Sequence, residues 1–249
     1  MSPQQLPLLI VEHEAQCPPG WMGEWLTEAG AEIDVRRPYT DDLLPVDLAG
    51  HSGMLVLGGE MGAYDDDTHP WLAQVKDLVR AAAQDGTPVL GICLGHQLAA
   101  VALGGDVGRA PGGQQIGVLD VGWTEASYDD RLVGALDRRG RAVQWNNDVV
   151  SRLPDGAVVL ARTPDGVLQA ARFTDSVWGV QWHPEAGEEI IRPWAENDRD
   201  DAVERGVDVD AYADDVAAAR DELRATWRGL AVGFVAICRN ASPAEVGLS

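Results

Sequence analysis

Three residues could together break a carbon–nitrogen bond: Cys93, His183 and Glu185. Cys93 sits inside Gly91-Ile92-Cys93-Leu94-Gly95, between the apolar run Pro88–Ile92 and the helix-forming run Gln97–Leu103. Glycine on both sides lets a strand and the following helix approach closely and tolerates a strained nucleophile turn, the logic of the G-x-S-x-G elbow. A helix N-terminus beside a sulfur favours thiolate over thiol. About ninety residues later the hydrophobic run Val177–Trp182 delivers His183-Pro184-Glu185. The residue before a proline is held extended, and extended residues two apart face the same way. Imidazole and carboxylate are therefore expected on one side of the chain, as base and orienter for a cysteine nucleophile.

With the elbow written Gly-Ile-Cys-Leu-Gly-His-Gln and the later segment His-Pro-Glu, the chain resembles the class I (triad) glutamine amidotransferases, nearest to the glutaminase domain of GMP synthase. The resemblance runs from about Leu6 to about Trp194. It implies an open, mostly parallel, flavodoxin-like sheet flanked by helices. It also implies a glutaminase that passes through a γ-glutamyl thioester on Cys93 and releases ammonia, without cofactor or metal. In the family the Gly-Gly loop after the third strand supplies an oxyanion-hole amide, which maps onto Gly59 beside Gly58, and Leu94 supplies the other. The family glutamine that grips substrate maps onto Gln97, which at i+4 from Cys93 shares its helix face. Gln115 falls on the family's strand into the substrate pocket, where an acid is more usual. Asn146 stands where close relatives of GMP synthase carry histidine, while Asp148 of that segment is kept.

Three functions remain open at this point. The first is a glutaminase handing ammonia to a separate synthetase subunit. The second is a hydrolase of a γ-glutamyl amine conjugate, and the third a non-catalytic binding or regulatory protein with the same fold. An intact Cys93, His183 and Glu185 weigh against the third.

Other reactive side chains have plainer explanations. His96 lies inside the elbow motif but is expected to make a structural hydrogen bond. His13, His51 and His69 lack partners at ligand spacing, and Cys17 and Cys238 read as packing thiols. The acidic stretch Tyr64–Thr68 reads as a solvated loop whose Asp67 or Thr68 caps the next helix, since adjacent acids point in different directions.

The elements that must position these groups alternate. Buried strands are expected at Leu6–Val11, Ala31–Arg36, Met54–Leu57 and Pro88–Ile92, with helices from Pro18 to Gly30 and from Pro70 to Gln84. Such alternation predicts a parallel sheet with helices on both faces. After Leu103 come short strands at 115–121, 141–145, 157–162, 167–173 and 177–182, expected as antiparallel additions to the sheet, with a helix interposed at Tyr128–Leu136. A short helix should end at Pro193-Trp194, followed by a surface loop at Glu196–Asp201. Asp208–Ala236 reads as one or two amphipathic helices with Leu223, Trp227, Leu230 and Phe234 on one stripe. Residues 1–195 are thus expected to form the amidotransferase domain and 196–249 a helical extension packed on it.

Composition narrows the partners. The chain has 249 residues and a formal net charge of −21, which repels phosphate backbones and argues against nucleic acid. No apolar run approaches the roughly 20 residues needed to cross a bilayer, and Met1–Gln5 shows no signal-peptide pattern. Three unpatterned cysteines suggest a reducing cytoplasm.

Overall fold

A computed structural model describes residues 6–197, 199 and 208–241. The expectation for Met1–Gln5 and most of the loop expected at Glu196–Asp201 lie outside those residues. In chain order the elements are β1 (Leu8–Val11), α1 (Gly20–Glu28), β2 (Ile33–Arg36), β3 (Gly53–Val56), α2 (Trp71–Asp85), β4 (Val89–Ile92) and α3 (Leu94–Ala102). Then follow β5 (Asp106–Arg109), β6 (Gln115–Asp120), β7 (Arg141–Asn146), β8 (Asp148–Arg152), β9 (Val158–Arg162), β10 (Leu168–Arg172) and β11 (Val177–Val180). The helices α4 (Glu188–Asn197), α5 (Val209–Ala218) and α6 (Arg220–Asn240) complete the described chain.

Seven strands form one sheet in the order β2-β1-β3-β4-β11-β10-β9. The first five are parallel, and β10 and β9 add antiparallel at one edge. Strand periodicity sorts the core into two layers. Leu9, Val11, Met54 and Val56 face α2 and α3, while Leu8, Ile10 and Leu55 face α1 and the C-terminal helices. On α6 the stripe Leu223, Trp227, Leu230 and Phe234 is fully buried in the second layer. The extension therefore supplies one wall of the core.

Several expectations are corrected. The strand β11 pairs in parallel with β4, so it continues the parallel sheet. The strands β6 and β7 form a separate antiparallel ribbon, as do β5 and β8. No helix forms over Tyr128–Leu136, where the chain makes turns. The Asp130 carboxylate takes the amides of Leu132 and Val133, and the Arg138 guanidinium binds the carbonyls of Ser127, Val133 and Gly134, so local side chains compete with helical bonding. Pro193 lies inside α4, and that helix continues through Trp194 to Asn197. Neither Asp67 nor Thr68 caps α2: its N-cap is Pro70, which has no side-chain bond to give.

The acidic loop before α2 is instead pinned internally. Asp65 accepts the Gly62 amide at 2.7 Å. Lys76, the only lysine in the sequence, is buried, donates to the Ala63 carbonyl at 3.0 Å and pairs with Asp66 at 2.7 Å.

Candidate active site

Parallel strands deliver their C-terminal ends to one edge of the sheet, and at that edge β4 turns into α3 through Cys93. The turn is tight enough to need both flanking glycines. A methyl group at Gly95 would collide with the Val56 carbonyl, and one at Gly91 would lie 2.6 Å from the His96 amide. Cys93 takes φ 48° and ψ −105°, a conformation that side chains rarely adopt. Its amide is fixed by the Val180 carbonyl at 2.9 Å, so β11 holds the elbow from the next strand over.

His183 follows β11, and its amide donates to the Val143 carbonyl at 2.9 Å. Its Nδ1 lies 2.7 Å from Glu185 Oε1. The Glu185 carbonyl in turn accepts the Trp21 amide at the start of α1, at 3.0 Å. Trp194 of α4 sets its edge against the imidazole with ring centroids 4.8 Å apart, and its own Nε1 donates to the Gln16 carbonyl at 2.8 Å. Burial opposes a charged imidazole here, yet the negative charges of Glu185 and Cys93 override it and push the His183 pKa up to about 10. The sulfur is close enough to act on the ring's charge, although among the described residues Nε2 has no hydrogen-bond partner.

Cys93 and His183 line one cavity of about 450 Å³, together with Gly59, Gln97, Asn146 and Asp148. Gly58 lies beneath the pair: a methyl there would sit 3.0 Å from His183 Cε1 and 3.6 Å from Cys93 Cβ. One placed at Gly59 would lie 3.1 Å from Leu94 Cδ2, so these two residues are neighbours across the elbow. The first amides of an α-helix have no acceptor within it, which leaves Leu94 a donor at the N-terminus of α3.

A file of carboxamides runs away from the sulfur. Gln181 Nε2 donates to Cys93 Sγ at 3.5 Å, and Gln97 Nε2 donates to Gln181 Oε1 at 3.4 Å and to the Asp148 carbonyl at 2.9 Å. Asn146 Nδ2 donates to the Asp148 carbonyl and to Gln115 Oε1, each at 3.2 Å, while its buried Oδ1 has no partner among the described residues. Gln115 stands behind Asn146, where it also takes Gln169 Nε2 at 3.1 Å, and does not line the cavity. On the rim Arg109 pairs with Asp148 at 3.3 Å.

His96 does not make the expected hydrogen bond. Among the described residues neither ring nitrogen has a partner; the ring packs 5.2 Å from Phe173, and burial holds its pKa down at about 3. His13 is likewise held down to about 3 by burial and by His69, with its Nδ1 accepting from Trp71 Nε1 at 3.2 Å. His51 pairs with Asp34 at 3.0 Å. Cys17 donates to Glu14 at 2.9 Å; burial and Glu14 drive its thiol pKa far up, so it stays protonated. All three cysteines are free, and among the described residues no group of three or more His, Cys, Asp or Glu could hold a metal ion.

Gln181 and Trp194 escape a reading of the sequence alone. Gln181 had one signal, a lone amide in an otherwise apolar strand, because a polar side chain buried there must find partners. Trp194 had none, since an aromatic residue near a helix end is ordinary core material.

The chain as a whole is similar to known proteins. Residues 23–192 match the family model described as glutamine amidotransferase class-I. A GMP synthase (glutamine-hydrolyzing) of Aeropyrum pernix is 34% identical over 178 residues, 68% of this chain and 32% of that protein, so the chain spans about a third of that relative. A GMP synthase (glutamine-hydrolyzing) subunit of Halobacterium salinarum is 41% identical over 157 residues, covering 63% of this chain and 76% of that one. The crystal structure of a glutamine amidotransferase from Thermotoga maritima superposes with a TM-score of 0.82 at 25% identity, over 93% of this chain and 99% of that one.

Proposed function

The chain belongs to the class I glutamine amidotransferases, and from that premise we propose that it hydrolyses the side-chain amide of glutamine and passes ammonia to a separate synthetase. The observation that carries the proposal is Cys93 at a strained strand–helix turn, sharing one cavity with a His183 ring that Glu185 holds at 2.7 Å. Cys93 sulfur adds to the γ-carbonyl carbon, and the oxygen that gains charge meets the amides of Gly59 and Leu94. Loss of one such donor typically costs about 3 kcal/mol of transition-state stabilisation. His183 protonates the departing nitrogen as the carbon–nitrogen bond breaks, which leaves a γ-glutamyl thioester. The same imidazole then takes a proton from water, whose oxygen displaces the sulfur and frees glutamate. Glu185 keeps the ring in the tautomer with its proton on Nδ1 and steadies the imidazolium form.

Gln97 and Asn146 supply polar contacts to the substrate, with Gln115 behind Asn146 and Gly58 beneath Cys93 and His183. We read residues 1–195 as the amidotransferase unit and 196–249 as an extension that completes its core; residues 198, 200–207 and 242–249 of that extension lie outside the described structure. Free cysteines suit a reducing cytoplasm as the site of action. A second reading, hydrolysis of a γ-glutamyl amine conjugate, is favoured by the cavity, whose volume of about 450 Å³ leaves room beyond glutamine.

Ammonia release from glutamine and amine release from γ-glutamyl amides, measured side by side, test both. Glutamine turnover abolished by Cys93→Ala supports the first, and turnover confined to conjugates selects the second. Activity that survives Cys93→Ala overturns the mechanism.

A further inference from the structure

Gln181 touches both the sulfur and Gln97, yet has no part in the steps above. It is fully buried just after β11, its backbone N–H donating to the Gln169 backbone carbonyl at 2.7 Å. A primary amide carries two donors on nitrogen and an acceptor on oxygen. Here Nε2 faces Cys93 Sγ at 3.5 Å and Oε1 receives Gln97 Nε2 at 3.4 Å. The reverse orientation would set a carbonyl against an electron-rich sulfur and one NH2 against another. Only one orientation satisfies both neighbours, and it fixes Gln97 as well. Both Gln97 protons are then engaged, by Gln181 Oε1 and the Asp148 carbonyl. What Gln97 has left to offer the cavity it lines is its carbonyl oxygen.

We propose that Gln181 is a positioning residue whose single amide plane holds the Cys93 sulfur on one side and the Gln97 side chain on the other. The donors run in one direction, from Gln97 nitrogen to Gln181 oxygen and from Gln181 nitrogen to sulfur. The consequence for catalysis rests on Cys93 being the nucleophile; the contact with sulfur does not. The titratable groups that act with Cys93 are His183 after β11 and Cys17 after β1, and Glu14, Glu60, Asp65, Arg109 and Asp148 line the same cavity.

Two variants separate the two arms. Gln181→Glu keeps the shape and the acceptor toward Gln97 but turns a carboxylate oxygen to the sulfur. Its alkylation by iodoacetamide, corrected with Cys93→Ser for Cys17 and Cys238, should move to higher pH by about 1 unit. Its kcat should fall about tenfold or more with KM for glutamine nearly unchanged. Gln181→Met removes both arms and should raise KM as well, and a KM equal to that of Gln181→Glu overturns the Gln97 arm. An alkylation curve and kcat unchanged in Gln181→Glu overturn the sulfur arm.

Alkylation needs no turnover. A protein inert toward glutamine whose Gln181→Glu curve still shifts keeps the sulfur contact and loses the amidohydrolase assignment.

Discussion

Cys93 sits at φ 48° in a backbone conformation that penalises any side chain. Such strain costs on the order of 1–3 kcal/mol and persists only where the surroundings impose it. Replacing Cys93 with glycine should therefore give a protein that resists urea better than Cys93→Ala; equal midpoints would show that the elbow is relaxed. His183 carries a second, electrostatic tension. With its pKa raised to about 10 in the folded state against an ordinary 6.5, it contributes stability that is full below pH 6.5 and is lost as pH rises through 10. Glu185→Gln removes the charge that raises it, so unfolding free energy should become flatter between pH 6.5 and 10. His13 and His96 act on the other side. Both are buried neutral with pKa values near 3, so the unfolded chain takes up protons first as pH falls below 6.5. Each then costs up to about 1.4 kcal/mol per pH unit, and His96→Leu should shallow the acid limb of a stability–pH curve.

At the scale of elements, the elbow works because β3, β4 and α3 touch backbone to backbone. Gly95→Ala pushes a methyl into the Val56 carbonyl and should cost about 3 kcal/mol or prevent folding, while Gly50→Ala, at an ordinary φ and with nothing described within 4 Å, separates this clash from a general intolerance of glycine changes. On α6, Trp227 stacks 4.9 Å from Trp182 and donates to the Arg141 carbonyl at 3.0 Å, so the extension buttresses the strand that carries His183. Trp227→Ala should lower stability by about 3–5 kcal/mol in denaturant titrations. The helices and the central strands were legible because their apolar spacing is regular and long. The strands β5 and β8 were not, since Asp106–Arg109 and Asp148–Arg152 are short, half-exposed and rich in charge and glycine, and only their mutual pairing makes them strands. The same holds for the site. Cys93, His183 and Glu185 declare themselves by residue type and local geometry, whereas the file from Gln181 to Gln115 depends on four strands and a helix meeting, which no local pattern encodes.

For the whole molecule, a net charge of −21 over 249 residues means that every compact state carries a Coulombic penalty that salt relieves. Raising ionic strength from low to physiological values should therefore raise the melting temperature, and a flat or falling response would show that the ion pairs outweigh the repulsion. The cations that offset this charge are almost all arginines. Lys76, the single exception, keeps its ammonium group inside the protein, on Asp66 and the Ala63 carbonyl. Amine-directed cross-linkers will thus find no lysine handle on the folded surface, and a negative result from such reagents says nothing about whether a synthetase docks. Carbodiimide coupling through the abundant Asp and Glu side chains is the chemistry that can trap an ammonia-consuming companion.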